Sequence, residues 1–221
     1  MFATQIISDI IKPIDYNATG EKALFLLHEF NINQIPVIEN GNYIGLISFD
    51  EITLLKHLDE PLKNVHKTLQ KPYVRASSHL FDVMKAAVEY NVRVVPVLAN
   101  DSEEYLGLVT AESCLRAFAQ LNSVLDEGAV LTIEIPHKDY QLSTIVRIVE
   151  ENNAAIITLY TDINHETATV QLTLKLNTNE IQSIVNTFER YGYAINGLYQ
   201  ENEYTEDLKD RYDALLKYIN L

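Results

Sequence analysis

The sequence holds one cysteine, seven glycines and six prolines in 221 residues, and its 17 Lys and Arg are outnumbered by 31 Asp and Glu. Each scarcity removes a class of function. A lone cysteine, Cys114, permits no internal disulfide framework and fits a reducing compartment. Its neighbours Leu115 and Ala117 mark a buried helical thiol rather than a nucleophile. So few glycines leave no phosphate-cradling loop, which sets aside P-loop and dinucleotide-fold ATPases and dehydrogenases. A formal net charge of −14 repels phosphate backbones, and with no dense Lys/Arg cluster to offset it, nucleic acid is not an expected partner. No run of about 18 apolar residues is present to span a membrane. Met1-Phe2-Ala3-Thr4-Gln5 lacks the basic start and apolar stretch of a secretory signal, so a cytoplasmic protein is expected. The histidines (His28, His57, His66, His79, His137, His165) are scattered, no two at the spacing of about three to five residues that metal sites use. Asp50 and Glu51 are adjacent, and adjacent helix residues point about 100° apart. With no nucleophile elbow and no Cys/His constellation, an enzyme is not expected.

What the chain does contain is a repeat. Ile35-Pro36-Val37-Ile38 returns at an offset of 60 as Val95-Pro96-Val97-Leu98, and Gly45-Leu46-Ile47-Ser48 returns at an offset of 62 as Gly107-Leu108-Val109-Thr110. The extra residues fall in a turn, where Asn40-Gly41 becomes Asn100-Asp101-Ser102-Glu103-Glu104 and a hairpin tolerates added length. Ala23, Leu24, Leu27 and Phe30 recur at helical spacing, matched by Val83, Met84, Ala87 and Tyr90. Each copy reads as short strand, helix, strand, strand, helix, with its proline near a strand start. A repeat too short to bury its own core stacks on its twin, so 1–124 is one module of two copies, about 1–62 and 63–124.

These residues resemble a tandem CBS-domain module (cystathionine-β-synthase-type repeats) over roughly 1–122. The resemblance implies a disc-like pair with two clefts between the copies. Those clefts would hold an adenosine-containing ligand such as AMP, ADP, ATP or S-adenosylmethionine, and no other cofactor. Adenine would lie against Ile35, Pro36 and Val37 or against Val95, Pro96 and Val97, and Ser48 or Thr110 would meet phosphate at a helix start. The family typically continues Gly-apolar-apolar-Thr-x-x-Asp, its Asp holding the ribose. Here Glu51 and Ser113 stand at that position; Glu51 keeps a carboxylate, whereas a serine cannot make a two-oxygen grip. The cleft of Ser48 and Glu51 is therefore favoured. Without any ligand, Ser48 and Thr110 also read as helix N-caps.

After a polar break at 122–128 the pattern restarts. Leu131, Ile133 and Ile135 alternate along a strand, and Leu142, Ile145, Val146 and Val149 mark a helix. Residues 154–161 and 167–176 read as antiparallel strands, the second with Ala168, Val170, Leu172, Leu174 and Leu176 on one face. Asn177 with Glu180 starts a helix that Gly192 ends, and 193–200 is a last strand. The order is a ferredoxin-like βαββαβ, so the fold class is α+β (mixed α/β). On that order and length, 128–200 resembles an ACT domain, whose first loop carries an Asp-x-x-Gly-like turn approaching an amino acid. Here the loop holds Asp139 and puts Tyr140 at the glycine, where close backbone approach is lost; Asp139 reads as an N-cap. Residues 203–221 read as an amphipathic helix striped with Leu208, Tyr212, Leu215 and Ile219, which must pack on the chain itself or on a second subunit, and a homodimer is expected. A CBS pair followed by an ACT-like domain resembles the acetoin-utilisation-type bacterial CBS proteins, in which neither module is catalytic. The functional expectation is a regulatory sensor that binds an adenosine nucleotide in a CBS cleft and passes occupancy to the ACT-like domain or a partner. The alternative is an interaction scaffold on the same folds without a small-molecule ligand.

Overall fold

Alternating and helical apolar periods set the element order, and a computed structural model describes it for residues 1–65 and 69–199. The helix expected over 203–221 lies outside the described residues. The chain divides into two units, Met1–Leu121 and Asn122–Leu221.

The first unit runs β1 (Ile14–Asp15), α1 (Gly20–Glu29), β2 (Gln34–Glu39), β3 (Asn42–Ser48), α2 (Phe49–Ile52), β4 (Val74–Arg75), α3 (Leu80–Glu89), β5 (Val94–Leu98), β6 (Tyr105–Thr110) and α4 (Ala111–Leu121). It forms two three-stranded sheets, β1-β2-β3 and β4-β5-β6, each with a parallel first pair and an antiparallel second pair. The repeat is reproduced in register: Ile14 lies opposite Val37 and Val74 opposite Val97, while Pro36 faces Leu46 and Pro96 faces Leu108. Both antiparallel pairs shift register just after the proline strand's Val37 or Val97. Asn40 and Gly41 both have positive φ, 51° and 81°, the pairing of a two-residue type I′ hairpin. The longer second turn is held by the Arg75 guanidinium, which donates to the carbonyls of Ala99 and Ser102.

The copies differ in their second helix. α4 has 11 residues and α2 only 4. The Thr53 hydroxyl donates to the Asp50 carbonyl, a side-chain bond that competes with helix continuation. The chain beyond then turns back to α1, where the amides of Gly20 and Glu21 donate to the carbonyls of Glu60 and Leu58 at 3.1 and 2.8 Å. Two donors left open at the start of α1 are thereby satisfied. The apolar faces are close to those expected: Ala23, Leu27, Val83 and Ala86 are buried, and Tyr90 is exposed.

Each copy closes the other. The amide of Ser8, ahead of β1, donates to the Leu108 carbonyl on β6, and the Leu46 amide on β3 donates to the Gln70 carbonyl ahead of β4, both at 2.8 Å. At the hairpin tips the Tyr43 amide donates to the Glu103 carbonyl and the Tyr105 amide to the Gly41 carbonyl, at 2.9 and 3.0 Å. The rings of Tyr43 and Tyr105 meet there, centroids 6.4 Å apart. The buried Tyr43 hydroxyl donates to the Pro72 carbonyl, whereas the buried Tyr105 hydroxyl has no partner among the described residues.

The second unit runs β7 (Val130–Pro136), α5 (Leu142–Glu151), β8 (Ile156–Asn164), β9 (Thr169–Leu176), α6 (Gln182–Arg190) and β10 (Ala194–Tyr199). Its antiparallel sheet has the order β10-β7-β9-β8, the ferredoxin-like arrangement. Leu131, Ile133, Leu172, Leu174, Ile145, Ile148, Ile184 and Phe188 fill the layer between sheet and helices. Three sequence expectations shift. Ala168 sits in the turn at φ 52° and is exposed, because β9 begins one residue later. Leu142, at the first turn of α5, is 43% exposed. α6 begins at Gln182 rather than near Asn177, whose side chain accepts from the Ala155 amide and so serves the neighbouring loop. Gly192 ends α6 at φ 81°, with the Tyr193 amide donating to the Phe188 carbonyl and the Gly192 amide to Glu189, a Schellman closure.

Two outcomes are expected. Burial, aided for Tyr43 by Tyr105 beside it, pushes both phenols above the ordinary tyrosine range. The unfolded chain releases these protons near pH 10 while the folded one keeps them, so stability is full below that pH and falls as pH rises past it. In urea unfolding, Tyr43→Phe should cost about 1 kcal/mol at neutral pH and Tyr105→Phe nothing, and each should flatten the alkaline loss. Separately, a Cβ at Gly128 (φ 141°) would collide with the Leu176 carbonyl oxygen, so Gly128→Ala should destabilise the second unit by about 1–3 kcal/mol.

Candidate functional site

The first unit carries two open clefts of about 950 and 640 Å³. Both are composite, and the reason is local. α1 and α3 end in matching Schellman turns: the amides of Ile32 and Val92 donate to the carbonyls of Leu27 and Ala87, with Asn31 and Asn91 at φ 50° and 52°. These turns carry each copy's chain into the cleft of the other. Asn91, Val92, Arg93 and Val94 of the second copy complete the larger cleft, whose remaining wall includes His28, Gln34, Ser48, Phe49 and Asp50. Phe30, Asn31 and Ile32 of the first copy complete the smaller one, beside Ser8, Thr110, Glu112, Ser113 and Arg116.

The helix starts on each cleft are built alike. Ser48 is the N-cap of α2, its Oγ accepting from the Glu51 amide at 3.4 Å. The Glu51 carboxylate folds back, accepting from the Ser48 amide at 2.7 Å and from the Ser48 hydroxyl. This capping box leaves Glu51 6% exposed and off the cleft wall. In the second copy the Ser113 amide donates to Thr110 Oγ1, and that hydroxyl donates to Ser113 Oγ, both at 3.0 Å. Ser48, Thr110 and Ser113 line clefts, then, but the carboxylate at the ribose position is committed to its own N-cap.

Ile35, Pro36 and Val37 are buried in the first copy and Val95, Pro96 and Val97 in the second, and none of them lines the two larger clefts, although Val95 lines a smaller apolar cavity of about 230 Å³ together with Thr110 and Arg93. Their neighbours Gln34 and Val94, one residue upstream, do line the larger clefts. In the second unit, Asp139 lies in a short 3-10 turn (His137–Asp139), and Gln141 rather than Asp139 is the N-cap of α5. Tyr140 packs its side chain on the core. Burial raises the Cys114 thiol above its ordinary range, which disfavours the reactive thiolate.

Arg93 was not singled out from the sequence, yet it lines both clefts. Its signal was its place in Asn91-Val92-Arg93, directly between a helix end and the apolar-Pro strand. Among the described residues no three His, Cys, Asp or Glu side chains form a metal-holding group, and no helix is long and apolar enough to cross a membrane.

Both copies match the CBS domain, over residues 3–56 and 59–120, just over half of the chain. The chain belongs to the CBS-domain family. Solved structures similar to this CBS protein include a CBS domain pair/ACT domain protein from Thermotoga maritima, with TM-score 0.49 and 17% identity over 54% of this chain and 98% of that one. CBSX2 in complex with AMP gives TM-score 0.46 and 20% identity over 54% and 96%. The CBS domain pair of protein MJ0100, in complex with 5′-methylthioadenosine and S-adenosyl-L-methionine, gives 0.42 and 23% over 54% and 97%.

Loss of either N-cap should be visible in stability. Ser48→Ala and Thr110→Ala should each cost about 1 kcal/mol in chemical denaturation of the full chain. Glu51→Ala should cost at least as much, because it strips the partner from the Ser48 amide.

Proposed function

We propose that this protein is a non-catalytic sensor whose CBS pair binds an adenosine-containing ligand, of the class of AMP, ADP, ATP or S-adenosylmethionine. The observation that carries the reading is the composite build of the clefts, each walled by both copies and within the volume range of small-molecule sites. Family membership supports the adenosine class. Arg93 is suited to a phosphate group, and the hydroxyls of Ser48, Thr110 and Ser113 to ribose or phosphate oxygens. A ligand touching both copies binds one relative placement of them more tightly than another, and that differential affinity is the signal passed to the ACT-like unit or a partner. An amino acid on the ACT-like loop has less support, because Tyr140 stands packed where a glycine would admit the ligand. A cytoplasmic homodimer belongs to the same reading. It is supported by the lack of a second cysteine to form a disulfide within the chain and by Phe81, Val88 and Leu115, which are 62%, 80% and 68% exposed on α3 and α4.

A thermal-shift screen of the full chain against adenine nucleotides, S-adenosylmethionine and amino acids tests the reading. A ligand at 100 times its Kd adds about 2.7 kcal/mol. A shift with an adenosyl compound, reduced on filling the larger cleft by Asn33→Trp, is the expected result. No shift with any adenosyl compound overturns the reading in favour of the scaffold.

A further inference from the structure

Both clefts draw on the same cation. Arg93 lies on the wall of the larger cleft and on the wall of the smaller one, at the point where the chain passes from α3 into β5. Its side chain is exposed and makes no ion pair among the described residues. The counterpart in the first copy, at the offset of 60, is Asn33, which is uncharged and lines the larger cleft alone. The repeat is symmetric in backbone and asymmetric in charge at this position.

The other charged side chains do not replace Arg93. In the smaller cleft the Arg116 guanidinium is 2.7 Å from the Glu112 carboxylate, which also lines that cleft, so the pair presents no net charge to an anion. In the larger cleft the described ionisable groups besides Arg93 are His28 and Asp50, and the Asp50 carboxylate repels an anion. A phosphate-bearing ligand in either cleft therefore meets one arginine that makes no ion pair among the described residues, and it is the same one.

We infer that Arg93 couples the two clefts negatively: its guanidinium engages the anionic group of a ligand in one cleft and is thereby withdrawn from the other. This rests on the adenosine reading above and adds its regulation. The first AMP binds with the arginine and the second without it, so the chain holds one AMP tightly and a second weakly. The coupling is reciprocal, each occupied cleft lowering the affinity of the other by the same factor. An uncharged ligand makes no claim on Arg93 and fills the clefts without this penalty. The device would let a chain with two similar clefts report one nucleotide at a time, with whichever cleft wins deciding which wall is engaged.

Calorimetric titration of the full chain with AMP and with adenosine tests this. AMP should give one tight site and a second at least about tenfold weaker, while adenosine should show no such gap. Arg93→Met, at an exposed position, should weaken the first AMP site and bring the two AMP affinities together. Arg93→Lys keeps a cation and should keep most of the gap. Two equal, independent AMP sites in the unaltered protein overturn the inference, as does a gap of the same size for adenosine or one that survives Arg93→Met. Absence of binding by both AMP and adenosine is a separate result: it removes the adenosine reading itself, and the coupling with it.

Discussion

The reciprocal closure of the two copies is the constraint on which the first unit depends. A three-stranded sheet with one helical face leaves an edge strand with unpaired amides and carbonyls, and an exposed edge is a liability. Here the segment ahead of β1 pairs onto β6 and the segment ahead of β4 onto β3, while the hairpin tips exchange a further pair of backbone bonds. Neither copy completes its own sheet. The core follows the same exchange: Ala3, Ile11 and Leu46 of the first copy pack in the cluster built mainly from the second. The clefts are the space left between two bodies that must dock, so they are composite by construction.

Within that frame, polar chemistry at the helix starts is conservative and largely self-satisfied. Ser48 with Glu51 and Thr110 with Ser113 spend their hydrogen-bonding capacity on each other and on backbone amides. Glu51 is the one buried charged residue among the described residues, and its burial is tolerable because its carboxylate is hydrogen-bonded. What remains open on the cleft walls includes Asn31, Asn91 and the guanidinium of Arg93, a cation in a chain of formal net charge −14, with Asp50 on the wall of the larger cleft and Glu112 on that of the smaller.

The second unit obeys a simpler economy. Its sheet is covered on one face by α5 and α6, which bury Ile145, Ile148, Ile184 and Phe188 against Leu131, Ile133, Leu172 and Leu174. The other face is lined by shorter and polar side chains such as Thr132, Thr173, Glu134 and Gln171, as the alternation of a half-covered antiparallel sheet requires. Tyr140 closes the first loop by packing inward, which replaces the open turn that an amino-acid site at that loop would use.

Much of the architecture was legible in residues. The offset of 60 placed two equivalent strands, Asn40-Gly41 announced a hairpin, Gly192 a helix end, and alternation in 128–200 the ferredoxin-like order, because period and turn chemistry are local properties. The start of α6 was not, since the Asn177 side chain accepts from the Ala155 amide, a partner 22 residues away that only the fold brings near. The site was legible only in part. Ser48, Thr110 and Ser113 reach cleft walls as their helix-start positions suggested, while the apolar-Pro strands are buried, with Val95 reaching the wall of a smaller apolar cavity. Glu51 stands at the position expected to meet ribose, and its carboxylate accepts from the Ser48 amide in a capping box, a local pairing that the Ser-x-x-Glu spacing also allows. Arg93 carries no motif at all. Its importance comes from standing where the two copies meet, and proximity between residues distant in the chain is what tertiary structure alone determines.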